Sequence, residues 1–456
     1  MGIFVLFSII QIGVYGILMS VGTNILKLAK INAGGCVIKF ILLSMLFGMY
    51  YCDGIAYVFL SLTVLICYLC VLYSLFNIKI QNNMYYVLNI ALIEVCVCIV
   101  FVTRNLLVFY IFFEALLIPM YYIIGLWGSR SRKVHAGYMF FIYTYLGSLL
   151  LLSAIFIIYA KFGTANIDVI SALSINLSRY EKIIVGLLLF VGFAVKIPMF
   201  PVHIWLPEAH VEAPTVGSVL LASLLLKLGG YGVIRFLMPI CGDVLDEEYV
   251  RSTLIVLCVV AVVYSSMAAV RQIDIKKIIA YSSVVHMNFG LLSVLLGQTD
   301  GQVAYVLIML SHGIVSAGLF FVAGCIYERY GTRNMVYLRG MCQTVPLLSV
   351  FFFVLTLSNM GFPFTLSFVG EISVILLIFE SYKLLGCIIV LSLSGSIIYN
   401  IVLVTKALFS YVGDVAEIRV TGDLSNREAR ILFILVGLAL CLGTFMCPVI
   451  KWVLVC

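Results

Sequence analysis

The sequence predicts an all-α fold, a polytopic transmembrane bundle of about 14 helices with inverted repeats and two broken helices. Three observations carry that expectation. First, 64% of the 456 residues are apolar, only 10% are charged, and the mean hydropathy is +1.21. Ordinary soluble domains carry roughly 25% charged residues, and so few charges cannot cover so much apolar surface in water. Second, the apolar residues form continuous runs of the ~20 residues that a helical span needs, not the alternating ~10-residue segments of a barrel. Third, proline interrupts two of these runs in similar surroundings. A secreted disulfide scaffold, a nucleic-acid binder and a cytosolic enzyme are excluded.

Polar punctuation divides the chain into spans at 2–22, 35–51, 54–75, 83–103, 105–127, 136–160, 182–200, 213–238, 251–270, 277–297, 301–327, 345–379, 384–409 and 430–455. Residues 1–22 have no basic leader and no convincing cleavage site, so the expectation is a first span and not a cleavable signal. The whole chain, 1–456, reads as one transmembrane domain. It has N-terminal spans in 1–103, a first repeat in 104–240, a second repeat in 251–409, and a C-terminal loop and last span in 410–456. The loops on the first-loop side carry 15 Lys and Arg residues and those on the opposite side carry 7. That bias places both termini on the outer, less basic side.

The first interruption reads Lys196-Ile-Pro-Met-Phe-Pro201 and is followed by Glu208; the second reads Gly361-Phe-Pro-Phe364 and is followed by Glu371. Pro198, Pro201 and Pro363 free backbone carbonyls, which at membrane depth demand protein or water partners. Two broken helices five spans apart are the expected trace of an inverted repeat. Pro119 is a further predicted break, one turn after Glu114.

An ionisable side chain near the bilayer centre costs at least ~2.5 kcal/mol, so each is a functional candidate. Glu114, Lys196, Lys227 and Glu371 are read as members of a hydrated ion path, with Glu114 and Lys196 facing each other because each buried charge needs a partner. Lys227 lies mid-span, beyond reach of either surface. His286 and His312 each sit four residues from a serine, Ser282 and Ser316, as Lys227 does from Ser223. These hydroxyls are possible hydration partners; the plain alternative is a hydrogen bond back to their own helix. Lys39 is read as snorkelling to the interface. Three readings stand for Glu94: a protonated carboxyl, a contact with another subunit, or a member of the path.

Cys67-Tyr-Leu-Cys70 has the spelling of a metal-binding pair, with Cys96 and Cys98 on the next span, but no acidic or histidine partner accompanies it. No metal site is expected. There is no P-loop, dinucleotide fingerprint or iron–sulfur cysteine ladder. The residues therefore describe a proton or cation path without a redox centre of its own.

Phe112-Phe-Glu-Ala-Leu-Leu-Ile-Pro119, the stretch from Lys196 to Pro214, and the stretch from Ser218 to Gly232 resemble the antiporter-like membrane-arm subunits of respiratory complex I, in its NADH dehydrogenase subunit 4 family. Asp274-Ile-Lys-Lys-Ile-Ile-Ala-Tyr-Ser-Ser-Val-Val-His-Met287 is similar to the same family, and the clear match covers residues 104–380. The resemblance implies a proton-translocating subunit. Its flavin, iron–sulfur clusters and ubiquinone would lie elsewhere in the complex. It makes Glu114 and Lys196 the acid–lysine pair, Lys227 the central lysine, His286 and His312 hydrated linking residues, and Glu371 the terminal protonatable group. It leaves Glu94 without a counterpart. It also implies neighbouring antiporter-like and accessory subunits, phospholipids and no nucleic acid as partners. The short loops and extreme hydrophobicity point to the mitochondrial inner membrane, with a bacterial plasma membrane as the alternative. A subunit of a multi-subunit cation/proton antiporter and one of a hydrogenase-type complex are the competing readings.

Overall fold

The computed structural model describes residues 25–48, 53–76, 84–245, 247–297, 299–409 and 422–454. The expected first span, 2–22, lies outside them. Helices α1 (Ile25–Gly48), α2 (Gly54–Phe76) and α3 (Met84–Val102) come first. They are followed by α4 (Leu106–Trp127), α5 (Lys133–Phe162), the short α6 (Ile167–Leu173) and α7 (Arg179–Lys196). Next are α8 (Trp205–Glu212), α9 (Thr215–Leu245), α10 (Glu248–Val270), α11 (Ile275–Leu296) and α12 (Thr299–Tyr330). Then come α13 (Pro346–Asn359), α14 (Leu366–Ser381), α15 (Lys383–Phe409), α16 (Asn426–Thr444) and α17 (Cys447–Leu454). Among the described residues, nine helices are long and apolar enough to cross a membrane, or ten if the bent pair α16–α17 is one span.

Three sequence expectations are corrected. α1 begins at Ile25, ten residues before the expected start of that span. The last span is not straight: α16 and α17 meet at 79°, where Phe445 leaves helical geometry and Pro448 follows. Pro119 does not break its helix. Only Leu116 is irregular, and its φ of −64° and ψ of −23° remain helical. Proline lacks one amide hydrogen, so it loosens this turn beside Glu114 without ending the helix.

The other two breaks are present. α7 ends at Lys196 and α8 begins at Trp205; α13 ends at Asn359 and α14 begins at Leu366. The inverted repeat also shows in a detail of the loops. Before α4, Leu106 N–H donates to the Ala165 carbonyl and Ile167 N–H to that of Arg104. Before α11, five spans later, Ile275 N–H donates to the Arg333 carbonyl and Met335 N–H to that of Ile273. These are the same two-bond bridge, Asn105 with Asn166 and Asp274 with Asn334, on loops that the charge count assigned to opposite sides.

Ion pairs test that assignment independently. Arg104 with Asp53 and Asp168, Lys161 with Glu181, and Arg179 with Glu247 all join loops of the less basic side. Arg130 with Asp274, Lys277 with Glu208, and Arg329 with Glu428 all join loops of the more basic side. None of these pairs joins loops of opposite sides, as the alternation of spans from α2 to α16 requires.

The apolar stretches of α9 and α12 are wholly buried and that of α11 is 94% buried, whereas that of α5 is 39% buried. α9, α11 and α12 thus form the centre of the bundle, and the outer helices turn large apolar side chains such as Leu146, Phe156 and Leu391 outward. Such faces suit lipid or neighbouring apolar helices. Polar side chains on the three central helices are where a membrane protein can keep a water-accessible interior.

Candidate functional site

α9 carries Lys227 between two widened, π-type turns, Leu221–Leu225 and Val233–Leu237. Such turns shift helical register and are frequent at functional sites. The wholly buried Lys227 ammonium donates to the Ala222 carbonyl, five residues back, at 2.5 Å. It also lies 2.8 Å from His312 Nδ1 on α12. An ammonium has donors only, so a charged Lys227 places its proton on this contact with Nδ1 as acceptor.

From His312 the polar groups continue. Its ring stands 5.7 Å from that of His286, centroid to centroid. His286 Nδ1 lies 3.6 Å from the Glu371 carboxylate, too long for a direct hydrogen bond and within ion-pair distance when the imidazole is protonated. A small cavity lined by His286, His312, Ser311, Asn359 and Glu371 has about 10 Å³ open to a water's centre, room for a single molecule. The second break shapes this end. Gly361 has φ +69°, and a Cβ there would stand 2.3 Å from Glu371 Oε2. Only glycine suits both the left-handed backbone and the space the carboxylate fills. α16 covers the break from the other side, with Gly443 against the Phe364 carbonyl.

The structure thus joins Lys227, His312, His286 and Glu371 in one sequence of contacts. It does not make the expected direct pair of Glu114 and Lys196: among the described residues neither has an ion-pair partner. The Lys196 ammonium sits 4.4 Å above the ring of Phe113, the residue before Glu114. A lysine over an aromatic face is held by the ring's quadrupole. Glu114 and Lys196 are still near enough to act on each other electrostatically. Gly229 lets the Lys196 end of α7 approach α9 within two residues of Lys227; a Cβ there would lie 3.1 Å from that of Lys196.

Of the three serines, Ser223 donates to Val219 and Ser282 to Ile279 within their own helices, at 2.6 and 2.7 Å. Ser316 Oγ is buried without a protein partner. Lys39 does not snorkel. It is buried and ion-paired with Glu94, joining α1 to α3, so Glu94 has a partner within this chain.

Sequence reasoning missed the residues that satisfy the first break. Asn288 Nδ2 donates to the Pro198 carbonyl at 3.1 Å and Trp205 Nε1 to that of Val195 at 3.1 Å. Asn288 stands two residues from His286 on a buried helix, and a buried amide without an obvious partner was the signal available. Among the described residues no three His, Cys, Asp or Glu side chains form a metal-binding group.

A bundle with two inverted units, a break in each, and a buried lysine–histidine–glutamate series between them defines an antiporter-like membrane subunit. The model of the NADH:quinone oxidoreductase/Mrp antiporter transmembrane family matches residues 103–398. The NADH-ubiquinone oxidoreductase chain 4 of Acanthamoeba castellanii is 42% identical over 391 residues, 86% of this chain and 78% of that one. The NADH-quinone oxidoreductase subunit M of Rickettsia typhi is 39% identical over 376 residues, 82% of this chain and 75% of that one. A chain of respiratory complex I from Thermus thermophilus superposes with a TM-score of 0.84 at 25% identity, covering 99% of both chains. The chain belongs to the NADH:quinone oxidoreductase/Mrp antiporter transmembrane family and, within it, to the family of NADH-ubiquinone oxidoreductase chain 4.

Proposed function

We propose that this chain is a proton-translocating core subunit of the membrane arm of respiratory complex I, coupling NADH:ubiquinone oxidoreduction to proton pumping. The observation that carries the reading is the buried contact of Lys227 with His312, continued through His286 to Glu371. Membership of the chain 4 family supports it over a cation/proton antiporter subunit. In this reading Glu114 and Lys196 set the local charge. A change in that charge makes Lys227 release its proton to His312, and the proton passes by water and His286 to Glu371. The chain then needs no redox centre: flavin and iron–sulfur clusters belong to other subunits and ubiquinone binds elsewhere. Neighbouring antiporter-like and accessory subunits and phospholipids cover its apolar outer helices.

The location that fits best is the mitochondrial inner membrane, with the termini on the intermembrane-space side. The 42% identity to a eukaryotic chain 4 and the 15-to-7 charge bias support this.

Purification of the native complex that holds this chain tests the reading. NADH:ubiquinone oxidoreduction should travel with the chain, and the chain isolated from it should bind no flavin. Co-purification with a flavin-free assembly that exchanges cations for protons would favour the antiporter reading, and stoichiometric flavin on the isolated chain would overturn both.

A further inference from the structure

We infer that His210 is a further proton-transfer residue, the inner end of an access branch that joins the more basic side of the bundle to His312. The inference rests on the proton relay proposed above and adds a branch to it. His210, on the short helix α8, is wholly buried, and neither of its ring nitrogens has a protein partner. Buried polar atoms that the protein leaves unpartnered are usual sites of ordered water. The ring is fixed in place by stacking on Phe320, 4.6 Å away and nearly parallel at 9°.

Phe320 belongs to the same helix as His312. Ser316 lies midway, four residues from each, so the three lean toward one face of α12 over about 12 Å. Ser316 Oγ and His312 Nε2 are, like the His210 nitrogens, buried without protein partners. Three unpartnered polar groups at one-turn intervals outline a line for water between His210 and His312. Toward the loops the polar column continues. Ser218 Oγ donates to the His210 carbonyl at 3.0 Å, and the buried Lys276 ammonium donates to Ser218 Oγ at 3.3 Å and to the Ala213 carbonyl at 2.8 Å. Glu212, two residues from His210, keeps one buried carboxylate oxygen unpartnered. The partly exposed pair Lys277–Glu208 adjoins this column, with Lys277 next to Lys276 and Glu208 two residues before His210. The cations acting on His210 are Lys276 on the loop side and Lys227 on the relay side.

The transfer balances with water as the only co-reactant. A proton from the aqueous phase on the more basic side, carried through water near Glu212 so that no hydroxide is left behind, binds one ring nitrogen of His210. The other ring nitrogen gives its proton to water at Ser316; once His312 has handed on the relay proton, that water protonates His312 at Nε2, and His312 reloads the neutral Lys227 across their 2.8 Å contact. The imidazole ends neutral in its other tautomer, and a half-turn of the ring about its Cβ–Cγ bond, which leaves it in the same plane against Phe320, resets it.

The test uses the intact complex in sealed vesicles, measuring NADH-driven proton translocation. His210→Phe keeps the ring that stacks on Phe320 and removes both nitrogens; Ser316→Ala removes the midway hydroxyl. Translocation by the assembled His210→Phe complex should fall about tenfold or more, and Ser316→Ala should lower it to a smaller extent. Wild-type translocation by an assembled His210→Phe complex overturns the branch. Should that variant fail to assemble, Ser316→Ala and His210→Gln decide in the same way: reduced translocation supports the branch, and wild-type translocation by both overturns it. Lys227→Met is run in parallel. Its failure beside a normal His210→Phe removes the branch alone, whereas normal translocation in Lys227→Met removes the relay itself.

Discussion

The Lys227 ammonium and the His312 imidazole meet at 2.8 Å with both side chains buried, on helices that contribute nothing exposed at that depth. Neither side chain has a carboxylate within ion-pair distance among the described residues. A lysine so placed is stabilised by one carbonyl and one ring nitrogen, a weak setting for a permanent charge. It is a suitable one for a group that gains and loses a proton.

Gly361→Ala should damage the outlet end of the relay. The new methyl would stand 2.3 Å from the Glu371 carboxylate on a backbone with φ +69°. The left-handed backbone alone costs roughly 1–2 kcal/mol, and the carboxylate must move from its place beside His286. Proton translocation by the assembled complex should fall, and infrared spectroscopy should find the Glu371 carboxyl band shifted. Unchanged translocation and an unchanged band would show that the break does not position Glu371.

Lys39 and Glu94 should behave as a clasp between α1 and α3. Lys39→Met leaves a buried carboxylate unpaired, at a cost of about 3–5 kcal/mol, whereas removing both charges is often close to neutral. Lys39→Met should therefore lower the yield of assembled complex, and adding Glu94→Leu should restore it with normal pumping. An assembled double variant that pumps poorly would place the pair in the path instead.

Asn288→Leu removes the donor to the Pro198 carbonyl, and a buried carbonyl left without a partner costs about 1–3 kcal/mol. Thermal unfolding of the complex should begin at a lower temperature, with the loss centred on the first break in hydrogen exchange. Equal protection of residues 193–204 in both proteins would contradict this role.

Glu114→Ala and Lys196→Ala should each impair pumping, and the double variant should lose less than their sum, since the two groups act on each other. Phe113→Leu, which removes the ring under the Lys196 ammonium while leaving both charges, should impair it less. Losses in the double variant equal to the sum would mean that the two residues act independently.

The helices and the alternation of their connecting loops were legible because composition, proline and charge bias are properties of the chain itself. The ion pairs between loops fall where the alternation of Lys and Arg requires. Lys227, His286, His312 and Glu371 were legible for the same reason: each is polar where the surroundings are apolar. Pairing was harder to read. Lys39 and Glu94 are 55 residues apart, and nothing in their own helices names the partner. Lys196 was assigned to Glu114, but the adjacent Phe113 ring takes the ammonium. The π-type turns around Lys227 leave no mark in hydropathy, so Ser223 was given a role beside Lys227 although its hydroxyl turns to Val219. The bend at Phe445 was hidden within a continuous apolar run.

The most direct measurement is the proton-to-electron ratio of the assembled complex carrying Lys227→Met, in sealed vesicles oxidising NADH. Methionine keeps most of the lysine stem and cannot carry a proton. The relay predicts an intact complex whose ratio falls below that of the wild type, and the same defect in Lys227→Arg, because a guanidinium hardly releases its proton. A wild-type ratio in the assembled Lys227→Met complex would contradict proton transfer through Lys227 and His312.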